Sequence, residues 1–169
     1  MEAMRVVDRV GDQLVDRKPF EVALSANQLN IWLSGLAQIW PDAARRMPRE
    51  IMEPFVAFEA GALRTAARLE SGGWRAIVSS DYEVELSGDR KNLIVRLKSA
   101  RCGGVPMPRF VIESILQPFL NEVGKKSVDQ WHNGAMFENR FVWPNGRRPF
   151  RIGELTIEPG NIRLRIEPL

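Results

Sequence analysis

Trp74-Arg-Ala-Ile-Val-Ser-Ser-Asp-Tyr-Glu-Val-Glu-Leu86, then Ser87-Gly-Asp-Arg-Lys-Asn92, then Leu93-Ile-Val-Arg-Leu-Lys-Ser99 is the stretch that decides the fold. Two runs alternate apolar with polar residues, and a cluster of turn formers separates them. A strand points successive side chains to opposite faces, so the pattern predicts a long antiparallel hairpin with one dry and one wet face. Trp74, Ala76, Val78, Tyr82, Val84 and Leu86 share the dry face, and Leu93, Val95 and Leu97 meet them across the turn. Arg96 and Lys98 point the other way, toward Asp81, Glu83 and Glu85. Opposite charges on neighbouring strands pair. The three carboxylates therefore read as a solvated face, not as a metal ladder or a glycosidase acid pair.

Strands continue on both sides of the hairpin. Glu53 to Gly61 opens the sheet, and Leu63, Thr65, Ala67 and Leu69 alternate with Arg64, Ala66, Arg68 and Glu70. Ser71-Gly-Gly73 turns that run into Trp74, which makes a meander of strands adjacent in sequence and in space. Farther on, Phe137 to Trp143, Phe150 to Ile157 and Ile162 to Ile166 read as strands, with a bulge expected at Gly153.

Helices accompany the strands. Ser25-Ala-Asn-Gln28 has the form of a capping box, and a helix should run to about Ile39 with Leu29, Trp32, Leu33, Leu36 and Trp40 as its apolar stripe. A second helix should start at Pro108 or Arg109, with Phe110, Val111, Ile115, Phe119 and Val123 on its apolar side. Met4, Val7, Val10 and Leu14 mark a third. The expected organisation is an N-terminal helix or stalk over residues 1–18, closed by Pro19, and a single α+β domain over residues 19–169. In that domain a curved, mostly antiparallel β-sheet meander carries two main helices packed on one face.

Composition narrows the function. The chain has 169 residues, 44% hydrophobic and 27% charged, ordinary for one globular domain with a core. Its 24 Lys+Arg against 21 Asp+Glu leave a net charge of only +3. That is too little to indicate nucleic acid, and Arg151, Arg163 and Arg165 lack the interleaved aromatics of a stacking platform. It is compatible with weak attraction to an anionic membrane surface. Cys102 is the only cysteine and His132 the only histidine, which excludes an internal disulfide and argues against zinc. A thiol–imidazole pair needs a third group to orient the ring, and neither residue sits in such a motif. The chain reads as a protein that is not an enzyme and needs no cofactor. The first ten residues are broken by charges, unlike a signal peptide. The expected location is extracytoplasmic and membrane-anchored if a hydrophobic segment lies upstream, and cytoplasmic otherwise.

Leu24-Ser-Ala-Asn-Gln-Leu-Asn-Ile-Trp-Leu33 resembles the opening strand and Leu-Asn-bearing helix of bacterial membrane-anchored proteins of the YpmS type. Phe55 to Ser99, Gly103 to Pro108, Arg109 to Val123 and Leu155 to Ile166 follow that family's order of meander, Gly/Pro loop, helix and closing strands. The resemblance implies a fold similar to tubular lipid-binding (BPI-like) modules, in which a bent sheet wraps a long helix, and it implies no catalytic residue. Paired apolar helices over a one-sided sheet lead to the same expectation. It is a non-enzymatic module binding a lipid or other hydrophobic ligand near a bacterial membrane, lined by Leu29, Trp32, Leu33, Leu36, Val78, Tyr82, Phe110 and Ile115. The alternative is a protein–protein interaction scaffold or assembly factor with a fully packed core, whose partner meets an exposed apolar patch or an open strand edge.

Overall fold

A computed structural model describes residues 10–39, 51–71, 73–113, 128–142 and 148–169. In chain order its elements are β1 (Phe20–Ser25), α1 (Ala26–Ser34), α2 (Leu36–Ile39), β2 (Ile51–Glu59), β3 (Ala62–Ser71), β4 (Trp74–Leu86), β5 (Asn92–Cys102), β6 (Val105–Pro106), α3 (Val128–Asn133), β7 (Ala135–Glu138), β8 (Phe141–Val142), β9 (Pro149–Glu158) and β10 (Asn161–Pro168). Residues 10–13 and 109–113 are also helical.

The decisive hairpin forms as β4 and β5, with Tyr82 opposite Leu97, Val84 opposite Val95 and Leu86 opposite Leu93. A bulge interrupts it. Asp81 pairs with Ser99 while Tyr82 pairs with Leu97, so Lys98 is the extra residue. An inserted residue shifts the side-chain phase by one. The dry face of β5 therefore continues from Leu97 to Ala100, both buried.

The single sheet expected from the sequence is two sheets. The larger runs β2-β3-β4-β5-β6, with β7 pairing the far end of β5; the smaller runs β1-β10-β9-β8. Every pairing is antiparallel. The fold is also richer in strand than two main helices over a meander would make it, because the longest described helix, α1, has nine residues while β4 has thirteen. The first expected helix divides at Gly35, which lacks the Cβ that favours helix interiors. The second begins at residue 109 as expected, and its continuation lies outside the described residues.

Each sheet buries one face. On the larger, Val78, Leu97, Ala100 and Ala135 pack with Met107, Ile112 and Trp131. On the smaller, Ile152 and Ile166 pack beneath Val10 and Leu14, so this part of the N-terminal helix lies on the body. The bulge expected at Gly153 is present: Glu154 pairs with Arg165 and Ile152 with Ile166, leaving Gly153 over.

The sheets are joined by backbone bonds at one end. Gly61 N donates to Ile157 O (3.1 Å) and Gly160 N to Phe58 O (2.9 Å), while on the smaller sheet's own side Ala26 N donates to Gly160 O (2.9 Å). At the other end Asn139, only 4% exposed, does the joining. Its amide donates to Arg90 O (2.8 Å) and Ile152 O (2.7 Å) and accepts from Ile152 N (2.9 Å). This inward turn at Asn139 splits the expected Phe137–Trp143 strand into β7 and β8.

Candidate functional site

The residues expected to line a ligand cavity fall into three groups. Val78 and Tyr82 share the dry face of β4, with Ser80 between them. Val78 is buried in the core that Trp131 joins, and the Tyr82 ring meets Trp131 edge-on at 6.1 Å. Phe137 tilts against the indole at 5.4 Å. The Tyr82 hydroxyl bonds Ser80 and Thr65, and burial pushes its pKa above the ordinary tyrosine value. This part of the interior is filled by rings.

The second group lies on α1. Its start is the expected capping box: Gln28 N donates to Ser25 Oγ (3.1 Å) and Ser25 N to Gln28 Oε1 (2.9 Å). Leu29, Trp32 and Leu33 are half-buried, and Leu36, on α2, is buried. Asn30, from the Leu-Asn motif, fastens α1 to the rim of the larger sheet. Its side chain donates to Val56 O and accepts from Val56 N, both at 2.8 Å, as a neighbouring strand would. Pro54 has no N–H to offer, and Gly160 N donates to Phe58 O, so the β2 edge is partly covered.

Phe110 forms the third group and is 70% exposed, on the opposite side of its helical turn from buried Ile112. Ile115 lies outside the described residues. The structure thus brings Val78 and Tyr82 together, sets the α1 residues at the β2 edge and leaves Phe110 facing water.

The thiol and the imidazole occupy different places. Cys102 pairs with Val78 and Val105, while His132 Nδ1 lies 3.0 Å from Leu97 O. Five positions of β5 separate these anchors, roughly 15 Å at strand rise. Among the described residues no group of three or more His, Cys, Asp or Glu is placed to hold a metal ion.

The wet face of the larger sheet is a network of paired charges. Arg64 reaches Asp81 and Glu59, each at 2.6 Å. Arg96 reaches Glu85 (2.6 Å) and Glu83 (3.5 Å), and Lys98 reaches Glu83 (3.4 Å). Arg68 reaches Glu53 (3.0 Å), and its Nε lies 3.2 Å from Glu70 without the alignment of a hydrogen bond; Arg75 also reaches Glu70 (3.1 Å). The hydrogen bond from Arg64, with a second from Ser99 Oγ (2.7 Å), holds the Asp81 carboxyl below its ordinary value against a smaller opposing effect of burial. The cross-strand pairing expected for Asp81, Glu83 and Glu85 is present.

Apolar residues interrupt this face near the start of β4. Ile77 is 62% exposed, Phe55 49% and Met52 39%. The register sets Met52 across from Arg68 and Arg68 across from Ile77, with Phe55 across from Ala66 in the adjoining row. Sequence reasoning missed this patch, although Ile77 stands in the wet phase of the β4 alternation, which is a readable signal. On the smaller sheet a polar cleft of about 330 Å³ is lined by Glu21, Ala23, Glu154, Thr156, Arg163 and Arg165. Arg163 is drawn to Glu158 (3.0 Å) and Arg165 lies 3.9 Å from Glu154, so its cations are largely answered from within.

Comparison of the chain with models of known protein families gave no match, and no curated protein matches it.

Proposed function

We propose that the domain is a non-enzymatic interaction module, a scaffold or assembly factor that presents the wet face of the larger sheet to a protein partner. The observation that carries this reading is the Met52–Phe55–Ile77 patch. These are large apolar side chains held in water on one face of the sheet while the opposite face of the same strands is packed. Such patches mark contact surfaces. Replacing Ile77 by Asp tests it. The variant should fold and melt like the parent, because the side chain is solvated, and should lose partner capture. Undiminished capture by a folded Ile77→Asp protein refutes the reading.

A second reading has its own support. Leu29, Trp32 and Leu33 remain half-buried on α1, which packs mainly against β2 and also meets β1 and α2. An apolar helix flank beside a sheet is where an acyl chain would lie, in keeping with a lipid or other hydrophobic ligand at a bacterial membrane. Native mass spectrometry with lipid extraction of the purified protein tests this. Carry-over of a stoichiometric lipid, lost in Trp32→Asp, supports it; protein that emerges ligand-free from lipid-rich cells counts against it.

A further inference from the structure

The wet face of the larger sheet carries six cations on β3, β4 and β5, and five of them have carboxylate partners on the same surface. Arg64, Arg68, Arg75, Arg96 and Lys98 are paired. Arg101 is exposed and reaches no carboxylate within ion-pair distance among the described residues, although its charge is felt by Asp81. Its place in the register is informative. Phe55 lies across from Ala66, Ala66 across from Ser79, and Ser79 across from Arg101. One row therefore runs from an exposed aromatic ring on β2, over two small side chains, to an unpaired guanidinium on β5. Four strands make that row about 14 Å wide.

We infer that this face binds a second copy of the chain, related by a two-fold axis running along the strands between β3 and β4. The inference rests on the interaction reading above and names its partner. A two-fold operation lays the row on itself in reverse. Phe55 of one copy then covers Arg101 of the other, twice per dimer, and a guanidinium over an aromatic face is attractive. Ala66 and Ser79 meet in the middle, where their small size lets the sheets approach to ordinary face-to-face spacing. In the next row Ile77 covers the aliphatic stem of Arg68 of the other copy. The surface complements itself, and its remaining charges are already balanced internally. It therefore offers little net attraction to an anionic bilayer.

Sedimentation velocity over a concentration series of the full chain is the test. The parent should show a reversible monomer–dimer equilibrium. Phe55→Arg sets like charges opposite each other, and Arg101→Glu removes the cation. Each should weaken association by at least about tenfold. The double variant, Phe55→Arg with Arg101→Glu, rebuilds the contact with its polarity reversed and should recover dimerisation. All of these side chains are exposed, and circular dichroism melts confirm that each variant is folded. Ile77→Lys, which buries a charge against Arg68, gives an independent loss of association. A parent that stays monomeric overturns the proposal, as does a dimer indifferent to the single changes, or a double variant no better than the worse single. A monomeric parent that floats with phosphatidylcholine–phosphatidylglycerol vesicles reassigns the face to lipid and also overturns it. A monomeric parent that loses a different protein partner on Ile77→Asp refutes the second copy and keeps the interaction reading.

Discussion

Removing the Asn139 side chain should cost far more than its size suggests. Asn139→Ala deletes three hydrogen bonds, to Arg90 O, Ile152 O and Ile152 N, at a site 4% exposed. At about 1 kcal/mol each, these give about 3 kcal/mol. Ile152 is itself buried, so its N–H loses its partner where water cannot easily replace it, adding about 1 kcal/mol or more. The expected total is about 4 kcal/mol, a large part of the stability of an ordinary domain and about 10 °C in Tm for a chain of this length. Asn30→Ala provides the comparison. It removes two bonds of the same kind, both to Val56, at a part-buried sheet edge where water can substitute. Its cost should be near 2 kcal/mol or below. Urea titration reads both, with the midpoint moving and the slope unchanged. If Asn139→Ala costs no more than Asn30→Ala, the claim that this amide ties the two sheets together is refuted.

Asp81 should shape the acid limb of stability. Its folded-state pKa lies below the ordinary 3.8, mainly through Arg64, so the stabilisation is complete above that value and is lost as pH falls through the folded value. Asp81→Asn should lower stability at neutral pH by about 1 kcal/mol and flatten the dependence below pH 3.8; melts whose acid slope matches the parent's contradict this. Trp131→Ala empties the space between Tyr82 and Phe137 and should cost about 3–5 kcal/mol in denaturant titration, and a loss under half that would mean the core closes without the ring. Gly134→Ala should cost about 2 kcal/mol, because φ is +104° and the new Cβ would meet Ile94 Cγ2 at 3.0 Å; a neutral outcome would show that this turn relaxes freely. Ser25→Ala opens the capping box and should cost about 1 kcal/mol, with a matching loss of helical circular dichroism as the check.

What the sequence made legible was local. The alternation of β4 and β5, the Ser25 capping box, the Gly153 bulge and the pairing of Asp81, Glu83 and Glu85 all follow from patterns a few residues long. Partition into two sheets did not, because it depends on β1 pairing with β10, far apart in the chain, and no local pattern records that. Trp131 lay in a stretch without clear periodicity. It seals the larger core from a six-residue helix, too short to give a full hydrophobic stripe. Asn30 stood out only as part of the Leu-Asn motif and Asn139 only as a position within the expected Phe137–Trp143 strand, since their roles depend on backbone groups brought from elsewhere. The lining set was only partly gathered. Val78 and Tyr82 were correctly placed on the dry face, yet the core around Trp131 covers them, and Phe110 lies in water because its helix offers Val111 and Ile112 to the core instead.

The pairing of β1 with β10 sets a timetable for a chain emerging from the ribosome. The meander of β2 to β5 can assemble as soon as those residues are out, each strand finding the one made just before it. β1 is made before any of them and must wait until β10 appears, holding Phe20, Val22 and Leu24 without their sheet partners throughout. The strand synthesised first is thus among the last to be locked, and a chain cut short before Asn161 leaves it permanently unmated. Nascent chains arrested at that point should be cleaved by protease near Phe20 while the meander resists.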